Sequence, residues 1–242
     1  MEYAFHIYNK LAADGTAMAT DKLLRLDAER KYLKSKGAGL RSSINKPQTP
    51  MAGTRSNTDV IYTQLGLEES LKLNAQNKET LPLNTQPPVI VCIGSDLAIG
   101  DSLGPITGSM LKYKTQGLNV FLYGTLAAPV TAKEIGYIRT FLKETHKGSQ
   151  VIAIDAAVGA EGDIGLIKIN DKPLLPGAGA NKKLGALGDI SLMGVVAEKS
   201  LSNYGLLNTT RLNLVYSMAE IISEGIANLL WERSSSFRKK RA

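Results

Sequence analysis

The chain has 242 residues, 43% of them hydrophobic and 21% charged, which is enough for an α/β domain with a core of its own. No apolar run approaches the ~20 residues of a membrane-spanning helix. Residues 1–15 carry acidic Glu2 and lack the apolar stretch of a secretory signal, so a cytoplasmic setting is expected. A single cysteine, Cys92, excludes an internal disulfide framework, and two histidines, His6 and His146, are too few for a Cys/His metal cage.

The net charge of +7 is unevenly placed. Residues 1–86 carry 12 basic and 9 acidic side chains, residues 87–230 carry 12 of each, and residues 231–242 carry five against one. The excess sits at the two ends, above all in Arg238, Lys239, Lys240 and Arg241. A short basic tail gives salt-sensitive attraction to any polyanion and reads no sequence. It is expected as a solvated terminus, and no specific nucleic-acid site is expected in the neutral middle.

In chain order, residues 21–36 read as a helix, with Leu23, Leu24, Leu26 and Leu33 among charges and Gly37 as its stop. Residues 37–59 are rich in Gly, Ser, Thr, Asn and Pro and read as linker, and 61–76 as a second short helix. Pro87 and Pro88 mark a boundary. The division is an N-terminal extension over 1–86, an α/β domain over 87–232 and a basic tail over 233–242.

From Val89 the texture changes. Strands are expected at 89–93, 119–123, 151–155, 164–169 and 190–196. Helices are expected from Pro105 to about Lys114, from a Thr131 cap to His146, and over about 212–231. Strands alternating with helices predict a mostly parallel sheet with helices on both faces, and no internal repeat is visible.

Ligands and catalytic groups of open α/β sheets gather at the carboxyl ends of the strands. Two segments place acids there: the loop from Gly94 to Pro105, with Asp96 and Asp101, and Asp155, which ends an otherwise apolar strand. A carboxylate in that position is partly desolvated, which raises its pKa. Two such acids can share one proton, one activating a water while the other donates to a carbonyl or leaving group. The alternative for Asp155 is a structural acid capping a nearby loop, and Asp96 reads as a turn residue. Gly94, Gly100 and Gly104 match neither nucleotide-binding spacing. The loop from Pro176 to Lys183 offers glycine amides with Lys182 and Lys183, fit to hold a carboxylate or oxyanion, or else is a surface turn. Ser95 and Ser102 lack a nucleophile-elbow setting, and Cys92 reads as core.

Three motifs occur in order: Gly100-Asp-Ser-Leu-Gly-Pro105 after a Val/Ile strand, Val151-Ile-Ala-Ile-Asp-Ala156, and Pro176-Gly-Ala-Gly-Ala-Asn-Lys-Lys183. Together they resemble the germination protease superfamily, most closely its small, YyaC-like, sporulation-associated branch. The resemblance covers roughly residues 87–200. It implies a three-layer, phosphorylase/hydrolase-like α/β sandwich, shared with hydrogenase maturation proteases, and an aspartic-type peptidase using two acids. Carried over by position, the acids are Asp101 and Asp155. The loop with Gly177, Gly179, Asn181 and Lys182 is then expected to line the substrate cleft.

The resemblance further implies a protein or peptide substrate, with small acid-soluble spore proteins as the expected class. No metal or other cofactor is expected, because hydrogenase maturation proteases add a metal-binding His and no His here falls near the motif loops. Two other readings stay open: a sporulation protein of the same fold that binds a peptide or partner without turnover, and a DNA-associated protein using its basic ends. No membrane partner is expected, and a homo-oligomer is compatible with all three.

Overall fold

At the centre of the sheet lies β2 (Val89–Cys92), whose four residues are all buried. A Val/Ile-rich run covered on both faces is what a central parallel strand requires. In the computed structural model, residues 1–35, 86–177, 184–199 and 210–241 are described. Around β2 stand β1 (Glu2–His6), β3 (Phe121–Tyr123), β4 (Val151–Gly159), β5 (Leu166–Asn170) and β6 (Ile190–Glu198), in the order β1-β5-β6-β4-β2-β3. The pairs β2–β3, β2–β4 and β4–β6 are parallel, while β5 runs antiparallel to β6 and β1 antiparallel to β5. The sheet is therefore mixed, with a parallel half that holds Asp155 and the loop after β2 that carries Asp101.

Four helices are described: α1 (Ala12–Ser35), α2 (Leu103–Lys114), α3 (Ile135–Thr145) and α4 (Leu212–Arg241). One face of the sheet presents Ile90, Cys92, Ile152, Ile154, Ile190 and Leu192, all buried. Helices α2 and α4 close that face: Leu103 and Met218 crowd the space beside Gly194 of β6. The ring of Phe5 in β1 fills the space beside Gly15 of α1, so α1 covers the β1 end of the same face. On the other face Val89, Val91 and Ala153 pack with Ile135, Ile138 and Leu142 of α3 and with Leu174 and Leu187. The spacing of those helix residues gives α3 one apolar stripe, which it buries. Helix, sheet and helix make a three-layer α/β sandwich, as the strand and helix alternation predicts.

The boundaries differ from the sequence expectation at both ends. Two compact units are present: residues 1–28 with 84–242, and residues 29–83. The first 28 residues therefore belong with the α/β domain and not to an extension ending at residue 86. The physical reason is β1, where Tyr3 and Phe5 alternate inward and all five residues pair with β5 from Asn170 to Leu166. Helix α1 begins at Ala12, before the expected 21. At the other end α4 continues to Arg241, past the expected stop near Trp231. No proline interrupts it, and Arg233 Nε donates to Asp21 Oδ1 at 2.9 Å. The linker expected at 37–59 and the helix expected at 61–76 lie outside the described residues.

The link from β2 to α2 is held by close backbone contact. A β-carbon on Gly104 would lie 2.0 Å from the carbonyl oxygen of Ile93. By contrast, a β-carbon on Gly136, inside α3, would meet nothing within 4 Å. Gly104→Ala is therefore expected to cost at least about 3 kcal/mol, at or beyond the upper end of ordinary overpacking. Gly136→Ala is expected to stabilise by about 0.5–1 kcal/mol, the helix-propensity difference. Urea denaturation of both variants checks the pair.

Candidate active site

The site begins where β2 ends. Ile93 N–H still donates to Ile154 C=O of β4 at 2.8 Å, but at Gly94 the chain turns away. Gly94 N–H goes to Val130 C=O and Ser95 N–H to Asp101 C=O, at 3.0 and 3.1 Å. Gly94 sits at φ +140, and a β-carbon there would lie 2.0 Å from the Asp101 carbonyl oxygen, so the loop closes on itself only because that residue is glycine. The loop ends in a short 3-10 turn, Gly100–Ser102, that runs directly into α2. Asp101 is the middle residue of that turn, and its N–H is donated to Ala98 C=O at 3.0 Å.

Asp155 lies on β4, the strand beside β2, and its Oδ1 accepts the N–H of Ala156 at 2.8 Å. Burial in the middle of β4, where β2 stops pairing, pushes its carboxyl well above the usual range, and the charge of nearby Asp101 pushes it further, while the Ala156 hydrogen bond opposes both. The two acids expected from sequence are thus brought together, close enough for one charge to act on the other. A carboxyl whose charge is disfavoured on both counts keeps its proton to higher pH than an ordinary carboxylate does.

The other residues singled out from sequence fall as follows. Asp96 is exposed in the loop. Ser95 Oγ accepts the N–H of Leu97, and buried Ser102 donates its hydroxyl to Ile99 C=O at 2.6 Å, which leaves neither set up as a nucleophile. Cys92 is buried in the core, where desolvation pushes its thiol up. His146 is buried and lies 2.6 Å from Tyr123 Oη through Nε2, within a cluster of Phe121, Tyr123 and Phe141 rings. His6 ends β1, three strands from β4, or about 14 Å at the usual strand spacing. Among the described residues no group of three or more His, Cys, Asp or Glu is placed to hold a metal ion.

Gly177 is described, at φ +74, whereas Gly179, Asn181 and Lys182 lie outside the described residues. The base of their loop is pinned by the paired backbones of Leu174 and Leu187, both hydrogen bonds 2.8 Å long. Those two leucines pack in the cluster that contains Ala153, two residues before Asp155 and on the same face of β4. Arg139 Nε of α3 donates to Ala186 C=O at 2.9 Å and ties down the return of the loop. Arg139 was not legible from sequence as part of this region; a cation on the polar side of an amphipathic helix carries no local sign of its partner. Also missed was the run of β4 beyond Asp155 to Gly159, because Ala156, Ala157, Val158 and Gly159 lack the large apolar residues that mark a buried strand.

Residues 65–225 match a family described as a protein of unknown function, DUF1256, and the chain belongs to that family. It is 42% identical over 142 residues to the uncharacterized protein YyaC of Bacillus subtilis (strain 168), an alignment spanning 59% of this chain and 69% of that protein. Among solved structures it is similar to a [NiFe] hydrogenase maturation protease, HycI, from Thermococcus kodakarensis KOD1. That match has 22% identity and a TM-score of 0.40, and covers 60% of this chain and 92% of that one.

The raised carboxyl of Asp155 has a consequence for stability. The folded chain holds that proton more tightly than the unfolded chain, so the stabilisation is present in acid and is lost as pH rises from about 4, the unfolded range, through the raised value. Asp155→Asn, which resembles the protonated acid, is expected to melt above wild type at pH 7. The two Tm values should converge below about pH 4. Scanning calorimetry across pH checks this, and an Asp155 held ionised as a structural cap would give the opposite sign.

Proposed function

We propose that this member of the DUF1256 family is a peptidase whose Asp101 and Asp155 together hydrolyse a peptide bond. The observation that supports the reading is the upward push on the Asp155 carboxyl by burial and by Asp101, one residue past the last pair that β4 makes with β2. Ionised Asp101 takes a proton from a water molecule, whose oxygen attacks the scissile carbonyl carbon. Protonated Asp155 gives its proton to the carbonyl oxygen, forming a neutral gem-diol. Proton transfer from Asp101 to the amide nitrogen then lets the C–N bond break, and a gem-diol hydroxyl returns its proton to Asp155. The pair is restored to its starting charge.

The substrate class comes from the resemblance of the three motifs to germination proteases: small acid-soluble spore proteins, in the cytoplasm of the forespore or the spore core. The glycine-rich loop from Gly177, including Gly179, Asn181 and Lys182, is assigned to steadying the peptide or oxyanion. Among the described residues no helix is long and apolar enough to cross a membrane.

The test is incubation of the full chain with purified small acid-soluble spore proteins, beside Asp101→Asn and Asp155→Asn. Wild type is expected to cut them, with the rate falling by about 10²–10⁴-fold in each variant, the range for losing one acid or base. The full chain matters, because truncation at residue 86 would remove β1 from the sheet. The pH–rate profile should be bell-shaped, with an alkaline limb above the ordinary carboxylate range. Cleavage retained in both variants would remove the acid pair from the reaction.

A further inference from the structure

Strand β4 outruns the strand beside it. On one side it pairs with β6 as far as Gly159, and on the other β2 follows it only to Ile154. Ile154 C=O faces β2, where it accepts the N–H of Ile93, and alternation along a strand turns the N–H and C=O of Ala156 and Val158 to the same side. The Ala156 N–H is taken by the Asp155 carboxylate. The C=O of Ala156 and both backbone groups of Val158 face an edge on which, among the described residues, no strand or loop pairs with them. Residues 156–159 are half-buried.

That edge lies against the acid pair, since Asp155 is the residue before Ala156. The loop that turns away at Gly94 carries Leu97, 91% exposed, and exposed Ile99. Unpaired strand groups, together with two large apolar side chains left in water on the loop that carries Asp101, suit an extended polypeptide, which offers backbone partners and alternating side chains together. A globular partner with its backbone already paired, or a small anion, would leave both features unused.

We propose that the open edge of β4, from Ala156 to Val158, binds an extended segment of a protein substrate by strand addition. Its backbone pairs with Ala156 C=O and Val158, and a carbonyl two or three residues along lies across Asp101 and Asp155. Only in calling the bound segment a substrate does this rest on the peptidase reading.

The test uses a phage library of random dodecapeptides, selected on the full chain carrying Asp101→Asn so that turnover does not intervene. The best binder is then synthesised with single N-methyl groups at each position in turn. Strand addition predicts loss of affinity at every second backbone position over the bound stretch. It also predicts about tenfold weaker binding to Val158→Pro, which lacks the outward N–H, and near-normal binding to Val158→Ala, which keeps it. The N-methyl series needs no change in the protein, so a Val158→Pro chain that fails to fold does not blunt it. Absence of any enriched peptide, or affinity indifferent to N-methylation, overturns the proposal. Period-two loss together with no cleavage of spore proteins by wild type would sustain strand addition while removing the peptidase reading.

Discussion

The contact on which the rest depends is the one between two stretches of backbone, Ile93–Gly94 and Asp101–Gly104. Each glycine stands where a β-carbon would lie 2.0 Å from a carbonyl oxygen of the other stretch. With that space empty, the chain leaves β2, makes a closed loop and starts α2 almost on top of the strand end. Asp101 is therefore carried on a turn whose own N–H and C=O are both hydrogen-bonded. The backbone that carries Asp101 is thus fixed on both sides of the residue.

The same closure explains the electrostatics. Because β2 stops pairing after Ile154, Asp155 lies beside the returning loop and not beneath another strand. It is desolvated enough for its proton to be held tightly, and Asp101 stands near enough to strengthen the effect. An isolated buried carboxylate would be costly. Here the cost is reduced by protonation and by the Ala156 N–H.

Support for the exposed part of β4 comes from its other side. Strand β6 follows β4 to Gly159 through an irregularity between Ala157 and Val158, and β6 is itself backed by β5 and then β1. The antiparallel half of the sheet thus continues alongside β4 after β2 has left it.

Much of the parallel half was legible in the chain itself. Val89, Ile90 and Val91 announce a strand buried on both faces, Pro105 a helix start, and Ile135, Ile138 and Leu142 a helix with one apolar stripe. Asp155 stands out in the same way, as a carboxylate after the apolar run 151–154, and that is why it was singled out. Local pattern could not reveal β1, whose five residues become a strand only when Tyr3 and Phe5 find β5 and α1. Nor could it reveal the length of β4 past Asp155, where small residues extend only because β6 pairs with them. Periodicity and punctuation are properties of neighbouring residues, so the sequence by itself determined most elements of the parallel half and singled out Asp101 and Asp155 as candidates. Register, the open edge and the proximity of Asp101 to Asp155 are relations between distant segments, and only the tertiary structure decided them.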